Sequence, residues 1–195
     1  MTPDRFASLA DSGKYSDAEW IARIREGDRR AFEAFVRHYA DHLCGFVYNT
    51  IGDTDATQEL VQDLFLWIWR NRHQWEIRGA LTTYLYRSAR NRAISHIRHE
   101  RLERRWLEQA TRQAPLATVP RSAEHASEEQ ELRSALARAL ESLPDRCRQV
   151  FLLSRAHGLS YAEISETLEI SIKTVEIHMS RALSILRSQL DDWLV

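Results

Sequence analysis

Between Trp75 and Trp106 the chain interleaves aromatic rings with arginines. Trp75, Tyr84, Tyr86 and Trp106 alternate with Arg78, Arg87, Arg90, Arg92, Arg98 and Arg101, and Asn91 stands in their midst. Aromatic faces stack on unpaired bases while guanidinium groups hold phosphates, so the composition suits a single nucleic-acid strand. The chemistry is non-covalent. Of the four rings, Tyr86 and Trp106 are expected to pack in a core.

A second constellation runs from Leu159 to Ala182 and reads as a helix-turn-helix. Ala162 is small where two helices would cross, and Ile164, Leu168, Ile170 and Val175 fill the wedge between them. Ser171 opens a helix whose early side chains project outward. Lys173, Thr174, Ile177, Ser180 and Arg181 would then reach base edges and phosphates in a major groove. Such turns often place Gly before Ile170, where Glu169 stands, so a slightly strained turn is expected.

The third constellation is Glu59 to Arg70. At roughly 100° per residue, Leu60, Val61, Leu64 and Ile68 form one apolar stripe suited to a core. On nearly the opposite side Gln62, Leu66, Trp69 and His73 form a second stripe, flanked by Glu59 and Asp63. A helix apolar on two sides is either buried all round or presents one side to a partner.

Covalent chemistry finds no support in the pattern. The eight histidines make no triad or metal spacing, and His38 and His42, four apart, lack a third ligand. There is no Gly-rich phosphate loop. Cys44 and Cys147 lie far apart and are expected as reduced thiols. The chain therefore reads as a binding protein with no enzyme activity, no metal and no cofactor.

The elements that must position these residues are helical, because Gly and Pro are few and apolar residues recur at helical spacing. Met1 to Ser16 reads as a mobile tail. A short helix is expected from Asp17, taken as its N-cap, to Gly27. Asp28 caps a longer one carrying Phe32, Phe35, Val36, Tyr39, Leu43, Phe46 and Val47. After a break at Ile51 to Thr54, the two-faced helix runs from Asp55 to His73. A loop with Trp75, Ile77 and Gly79 leads into a basic helix from Leu81 to about Gln109. Thr111 to Ser127, with Pro115 and Pro120, reads as a flexible linker. Beyond it come a helix with Leu132, Leu136 and Leu140, a turn at Leu143-Pro144-Asp145, a helix from Arg146 to His157, and the two helices capped by Ser160 and Ser171. The fold class is all-α, with two small helical domains at 17–110 and 128–195.

Charge is unequally shared. Residues 71–105 hold nine arginines against three glutamates, whereas residues 128–195 hold eight basic and eleven acidic side chains. An acidic helix-turn-helix has little nonspecific hold on phosphate and needs a tether to find DNA. No apolar run is long enough to span a bilayer and no signal segment opens the chain, so a cytoplasmic protein without membrane insertion is expected.

Taken in order, the acidic-aromatic helix, loop, basic aromatic helix, linker and helix-turn-helix resemble a bacterial sigma factor of the extracytoplasmic-function (ECF) group in the sigma-70 family. Asp55 to Trp69 is similar to region 2.2, Leu81 to Arg98 to regions 2.3 and 2.4, and Leu143 to Leu186 to region 4. The resemblance implies a subunit that binds core RNA polymerase, reads minus-10 and minus-35 promoter elements and helps to melt DNA. It implies polymerase contact, at the beta-prime clamp helices, by Glu59, Gln62, Asp63, Phe65, Leu66 and Trp69, and a second contact on the beta flap. It assigns the minus-10 element to Trp75, Arg78, Tyr84, Arg87, Arg90, Asn91 and Arg98. The minus-35 element falls to Ser171, Lys173, Thr174, Glu176, Ile177, Ser180 and Arg181. Tyr84 stands where the family commonly has Trp, and Glu176 where a cation is frequent, so the promoter sequence is not inherited. An anti-sigma factor, often membrane-anchored in the family, is a further partner it implies. The alternative is a free-standing LuxR-type regulator, which accounts for 159–186 and leaves 59–105 without a purpose.

Overall fold

The computed structural model describes residues 15–77, 79–110 and 128–191, with side chains omitted at 104–110 and 128–134. Every regular element among the described residues is helical: α1 (Asp17–Arg25), α2 (Arg29–Ile51), α3 (Thr54–Arg70), a 3-10 turn (Arg72–Gln74), α4 (Leu81–Ala110), α5 (Glu128–Glu141), α6 (Asp145–Arg155), α7 (Tyr161–Leu168) and α8 (Ile172–Gln189). The expected tail before Tyr15, the linker at 111–127, Arg78, and the side chains of Trp106 and Leu132 lie outside the described residues.

Helix starts follow the short polar residues. Ser16 caps α1 with a full capping box, its hydroxyl accepting the Glu19 N–H while the Glu19 carboxylate accepts the Ser16 N–H. Asp17, expected as that cap, is instead the first helical residue, and its carboxylate accepts the Leu81 N–H at 2.9 Å, capping α4 from a distance. Asp28 and Asp53 cap α2 and α3 through Ala31 and Ala56. Gly52, at φ 77°, ends α2 in the left-handed conformation that glycine adopts without strain.

The first half is a bundle in which α2 packs against α1, α3 and α4. Its centre is aromatic: Phe35 is fully buried, with Trp20, Tyr39, Phe65 and Trp75 within 6.0 Å of its ring centre. Val61, Leu64 and Ile68 of α3 and Leu81, Leu85 and Ala89 of α4 complete the core. Along α3 the expected stripe is buried, with Leu60 at its half-exposed edge.

In the second half α8 packs on α6 and α7 and, less extensively, on α5. Val175, Met179, Ala182 and Leu186 are its buried line, spaced by three and four residues. Leu136 is exposed, and α5 buries Ala139 against Leu143, Cys147, Ala182 and Leu186. Ala162, expected at the helix crossing, is also exposed; α7 turns Ile164, Thr167 and Leu168 inward instead.

The two halves are docked, which a reading as separate domains did not anticipate. α7 lies against α4 and α6 against α2, and one continuous apolar cluster runs from Trp20 to Met179.

Candidate polymerase and promoter-DNA surfaces

On α3 the side chains of Glu59, Gln62, Asp63 and Leu66 face solvent, Leu66 at 38 % exposure. Phe65 does not join them. It is 5 % exposed, edge-on to Phe35 at 5.8 Å, because it lies next to the Val61–Leu64–Ile68 stripe and the bundle closes over it. Trp69 sits between these cases. Its ring rests on Phe32 at 4.7 Å and carries the Arg72 guanidinium at 4.7 Å, leaving one part uncovered. The reading from periodicity missed Trp67, which is 44 % exposed. It follows Asp63 by four residues and Leu60 by seven, a spacing that would have placed it on one face with them.

Around α4 the assigned residues separate. Trp75 is 1 % exposed, with Phe35 at 6.0 Å and Tyr84 at 6.1 Å, so it anchors the loop in the core and offers no face to a base. Its size and the gap in the bundle beside Phe35 decide this, and neither is visible in local spacing. Tyr84 is half-buried, with part of its ring still accessible. Tyr86 is buried as expected, and that burial pushes its hydroxyl far above the ordinary range. Arg87, Asn91 and Arg98 are exposed. Arg90 is half-buried; burial first, and then the nearby Arg146 guanidinium, lower its pKa. Arg92 is lowered chiefly by burial and lines a shallow groove between α3 and α4 with Leu60, Asn91, Ser95, His96 and His99.

On α8 most of the assigned side chains lie on the outward side, with Thr174 half-buried. Ser171 caps the helix through the Thr174 N–H at 3.1 Å, and the two hydroxyls lie 2.8 Å apart. Lys173, Glu176, Ile177, Ser180 and Arg181 are all exposed, Ile177 at 58 %. Ile172, at 48 %, and Leu183, at 37 %, are also open on this helix, and an exposed apolar side chain of this kind is suited to the methyl group of thymine. The turn before α8 is stitched by the Ser165 hydroxyl, which donates to the Ile170 carbonyl at 2.6 Å. Glu169 takes φ 56°, the one positive φ among the described non-glycine residues, a conformation that costs an L-residue about 1–2 kcal/mol.

Among the described residues no group of His, Cys, Asp or Glu could hold a metal ion, and no helix is long and apolar enough to cross a membrane. Cys44 and Cys147 are free thiols, and Cys147 Sγ lies 3.6 Å from His178 Nδ1.

Known proteins share both halves. The model of Sigma-70 region 2 matches residues 35–103, and that of Sigma-70 region 4 matches residues 133–186. The ECF RNA polymerase sigma factor SigK of Mycobacterium tuberculosis (strain H37Rv) is 29 % identical over 174 residues, covering 88 % of this chain and 91 % of its own. SigW of Bacillus subtilis (strain 168), also an ECF RNA polymerase sigma factor, is 29 % identical over 178 residues, covering 88 % and 95 %. Among solved structures, CnrH in complex with the cytosolic domain of CnrY aligns at a TM-score of 0.62 and 20 % identity, over 90 % of this chain and 97 % of that one. The sigma factor RpoE of Bartonella quintana, bound to the anti-sigma factor NepR, aligns at 0.60 and 22 %, over 82 % and 96 %. With both sigma regions matched in order, and relatives that span nearly the whole chain, this protein belongs to the sigma-70 family of RNA polymerase sigma factors, in its ECF group.

Proposed function

We propose that the chain directs core RNA polymerase to its promoters by dividing the work among three helices. The exposed side of α3, with Glu59, Gln62, Asp63, Leu66 and the open part of Trp69, docks on the beta-prime clamp helices, and Trp67 extends that face. Tyr84, Arg87, Arg90, Asn91 and Arg98 hold an unpaired minus-10 strand. Ser171, Lys173, Thr174, Glu176, Ile177, Ser180 and Arg181 read the minus-35 duplex. Phe65 and Trp75 act by shaping the bundle behind these surfaces.

The observation that carries this reading is that three exposed surfaces of different chemistry fall, in order, on the helices matched to sigma regions 2 and 4. Melting then needs no bond chemistry. Extruding a base costs on the order of a few kcal/mol, and stacking on an aromatic ring returns about 1–3 kcal/mol per base. Two weak modules held on one polymerase act at a raised local concentration, so the acidic second half needs little affinity of its own. The protein works in the cytoplasm, beside its DNA, and performs no catalysis itself. A sequestering anti-sigma protein is a further partner, by extension from the complexes of CnrH and RpoE.

Run-off transcription from a promoter library, with and without core polymerase, tests the whole. Transcripts that need both components are expected. Tight sequence-specific binding by the chain alone, with no transcription above the core background, would overturn the reading in favour of a free-standing regulator. Leu66→Asp and Trp67→Ala should each weaken polymerase binding at least tenfold without unfolding the bundle.

A further inference from the structure

One groove on the first half is used by none of the three surfaces above. It lies between α3 and α4, has a volume of about 430 Å³ and is lined by Leu60, Asn91, Arg92, Ser95, His96 and His99. A helix 10–12 Å across would fill that space with about one turn, so it suits a single small ligand better than a partner helix. Every lining residue except Leu60 ends in a hydrogen-bonding group, and none of them is a carboxylate. His99 Nε2 is met by Glu103 Oε1 at 3.2 Å and His96 Nε2 by Glu100 Oε1 at 3.9 Å. Contacts at a ring nitrogen leave the faces of the imidazole unclaimed.

These are the parts that hold an unpaired nucleotide. Imidazole faces and aliphatic carbon cover a base, an amide pairs with a base edge, and a guanidinium holds phosphate. Arg92 is half-buried, and among the described residues no carboxylate stands within ion-pair distance of it, whereas Arg87 is already paired with Glu169 at 3.2 Å. Burial lowers the Arg92 pKa, while Tyr84 and Asp63 are near enough to favour its charged form.

The groove also continues the strand surface proposed above, since Asn91 belongs to both. Ser95 lies eleven residues beyond Tyr84, about 16 Å along the helix axis. That is the length of about five stacked nucleotides at roughly 3.4 Å each, so the groove and the Tyr84 ring serve different bases. A second station is useful here, because Trp75 and Tyr86 are buried and Tyr84 itself is only partly accessible.

We propose that this groove is a second base pocket, which takes one unpaired nucleotide of the promoter strand: Leu60 and the His96 and His99 rings cover the base, Asn91 and Ser95 read its edge, and Arg92 holds its phosphate. Its ligand rests on the promoter reading above. The pocket prefers adenine, because an Asn amide pairs bidentately with N6 and N7 of that base.

The test uses holoenzyme, reconstituted from the full chain and core polymerase, on forked promoter DNA whose unpaired strand carries an abasic nucleotide at each position in turn. At one position, different from the one at which Tyr84→Ala abolishes the abasic effect, loss of the base should weaken wild-type binding about tenfold. Ser95→Leu, which fills the groove from an exposed position, and His96→Ala combined with His99→Ala should each remove that penalty. Asn91→Asp should shift the preference there from adenine towards cytosine, an outcome that a merely structural Asn91 would not produce. Circular dichroism checks folding, and affinity for core polymerase should equal that of wild type. Groove variants that keep every abasic penalty, while Tyr84→Ala removes its own, would overturn the pocket and leave the promoter reading standing. If Tyr84→Ala also changes no position, the promoter reading falls and the pocket's ligand with it. Groove variants that weaken core binding as Leu66→Asp does would give the groove to polymerase instead, and adenosine monophosphate that binds the chain tightly without displacing the strand would give it to a free nucleotide; either result overturns the proposal.

Discussion

The carboxylate of Asp17 accepts the backbone N–H of Leu81 at 2.9 Å, joining the first turn of α1 to the first turn of α4 across 64 residues of sequence. That bond fixes where the basic helix begins, and hence the phase at which Tyr84, Arg87 and Asn91 leave the bundle. Asp17→Ala should lower stability by about 1 kcal/mol, the usual loss on removing a cap. Urea denaturation measures it, and a midpoint equal to wild type would mean that α4 starts where it does for other reasons.

Trp75 and Tyr84 touch each other yet should fail differently. Trp75→Ala removes a fully buried indole from beside Phe35 and should destabilise the first half by about 3–5 kcal/mol. Tyr84→Ala leaves the core nearly intact and should instead lower open-complex formation about tenfold, with little change in the denaturation midpoint. Permanganate footprinting of the melted region, paired with thermal unfolding, separates the two. Equal stability losses for both variants would count against the division.

His157 predicts a pH response. Its burial, together with the facing His42, lowers its pKa from 6.5 to about 4 in the docked structure. A solvated imidazole titrates near 6.5, so a chain whose halves have come apart takes up a proton first. Docking of the two halves is then fully favoured above about pH 6.5 and weakens as pH falls towards 4, by up to tenfold in the equilibrium constant per unit. The groups facing it are His42 on α2 and Tyr86 on α4, whose burial raises its pKa and keeps it neutral. The radius of gyration should increase between pH 7.5 and pH 5 in wild type and change less in His157→Phe. Identical pH profiles for the two proteins would remove His157 from the account.

On α8, Lys173 and Ile177 should contribute in separable ways. Lys173→Ala should weaken minus-35 binding across all sequences and reduce its salt dependence by about one ion. Ile177→Ala should act at one base-pair step, lowering discrimination there by about 1–3 kcal/mol. Selection from randomised promoters with each variant distinguishes them, and an unchanged base preference with Ile177→Ala would remove Ile177 from direct readout.

How much of this was legible beforehand follows from what each feature depends on. The positions of α2, α3, α7 and α8 are written locally, in Asp28, Asp53, Ser160 and Ser171 before apolar residues at helical spacing. The outward side of α8 was legible for the same reason, since Val175, Met179 and Ala182 fix which side is inward. Phe65 and Leu66 are adjacent, and only the bundle's closure over one of them tells core from surface. Trp75 could have served either role, and the choice was made by a space beside Phe35 contributed by another helix. The docking of α7 on α4 depends on residues far apart in sequence. Its one local trace is the pairing of an acidic helix with a basic one, which the unequal charge of the two halves hinted at without locating.

That pairing has an electrical consequence. Folding the carboxylates of α7 onto the guanidinium groups of α4 places opposite charges close together, in a chain whose formal net charge is only -1. Seen from beyond a Debye length of about 10 Å, the protein with its halves docked presents little field to DNA. Once the halves separate, the same charges form a large dipole with its positive end on α4. Encounter with DNA then becomes faster and steeply dependent on ionic strength.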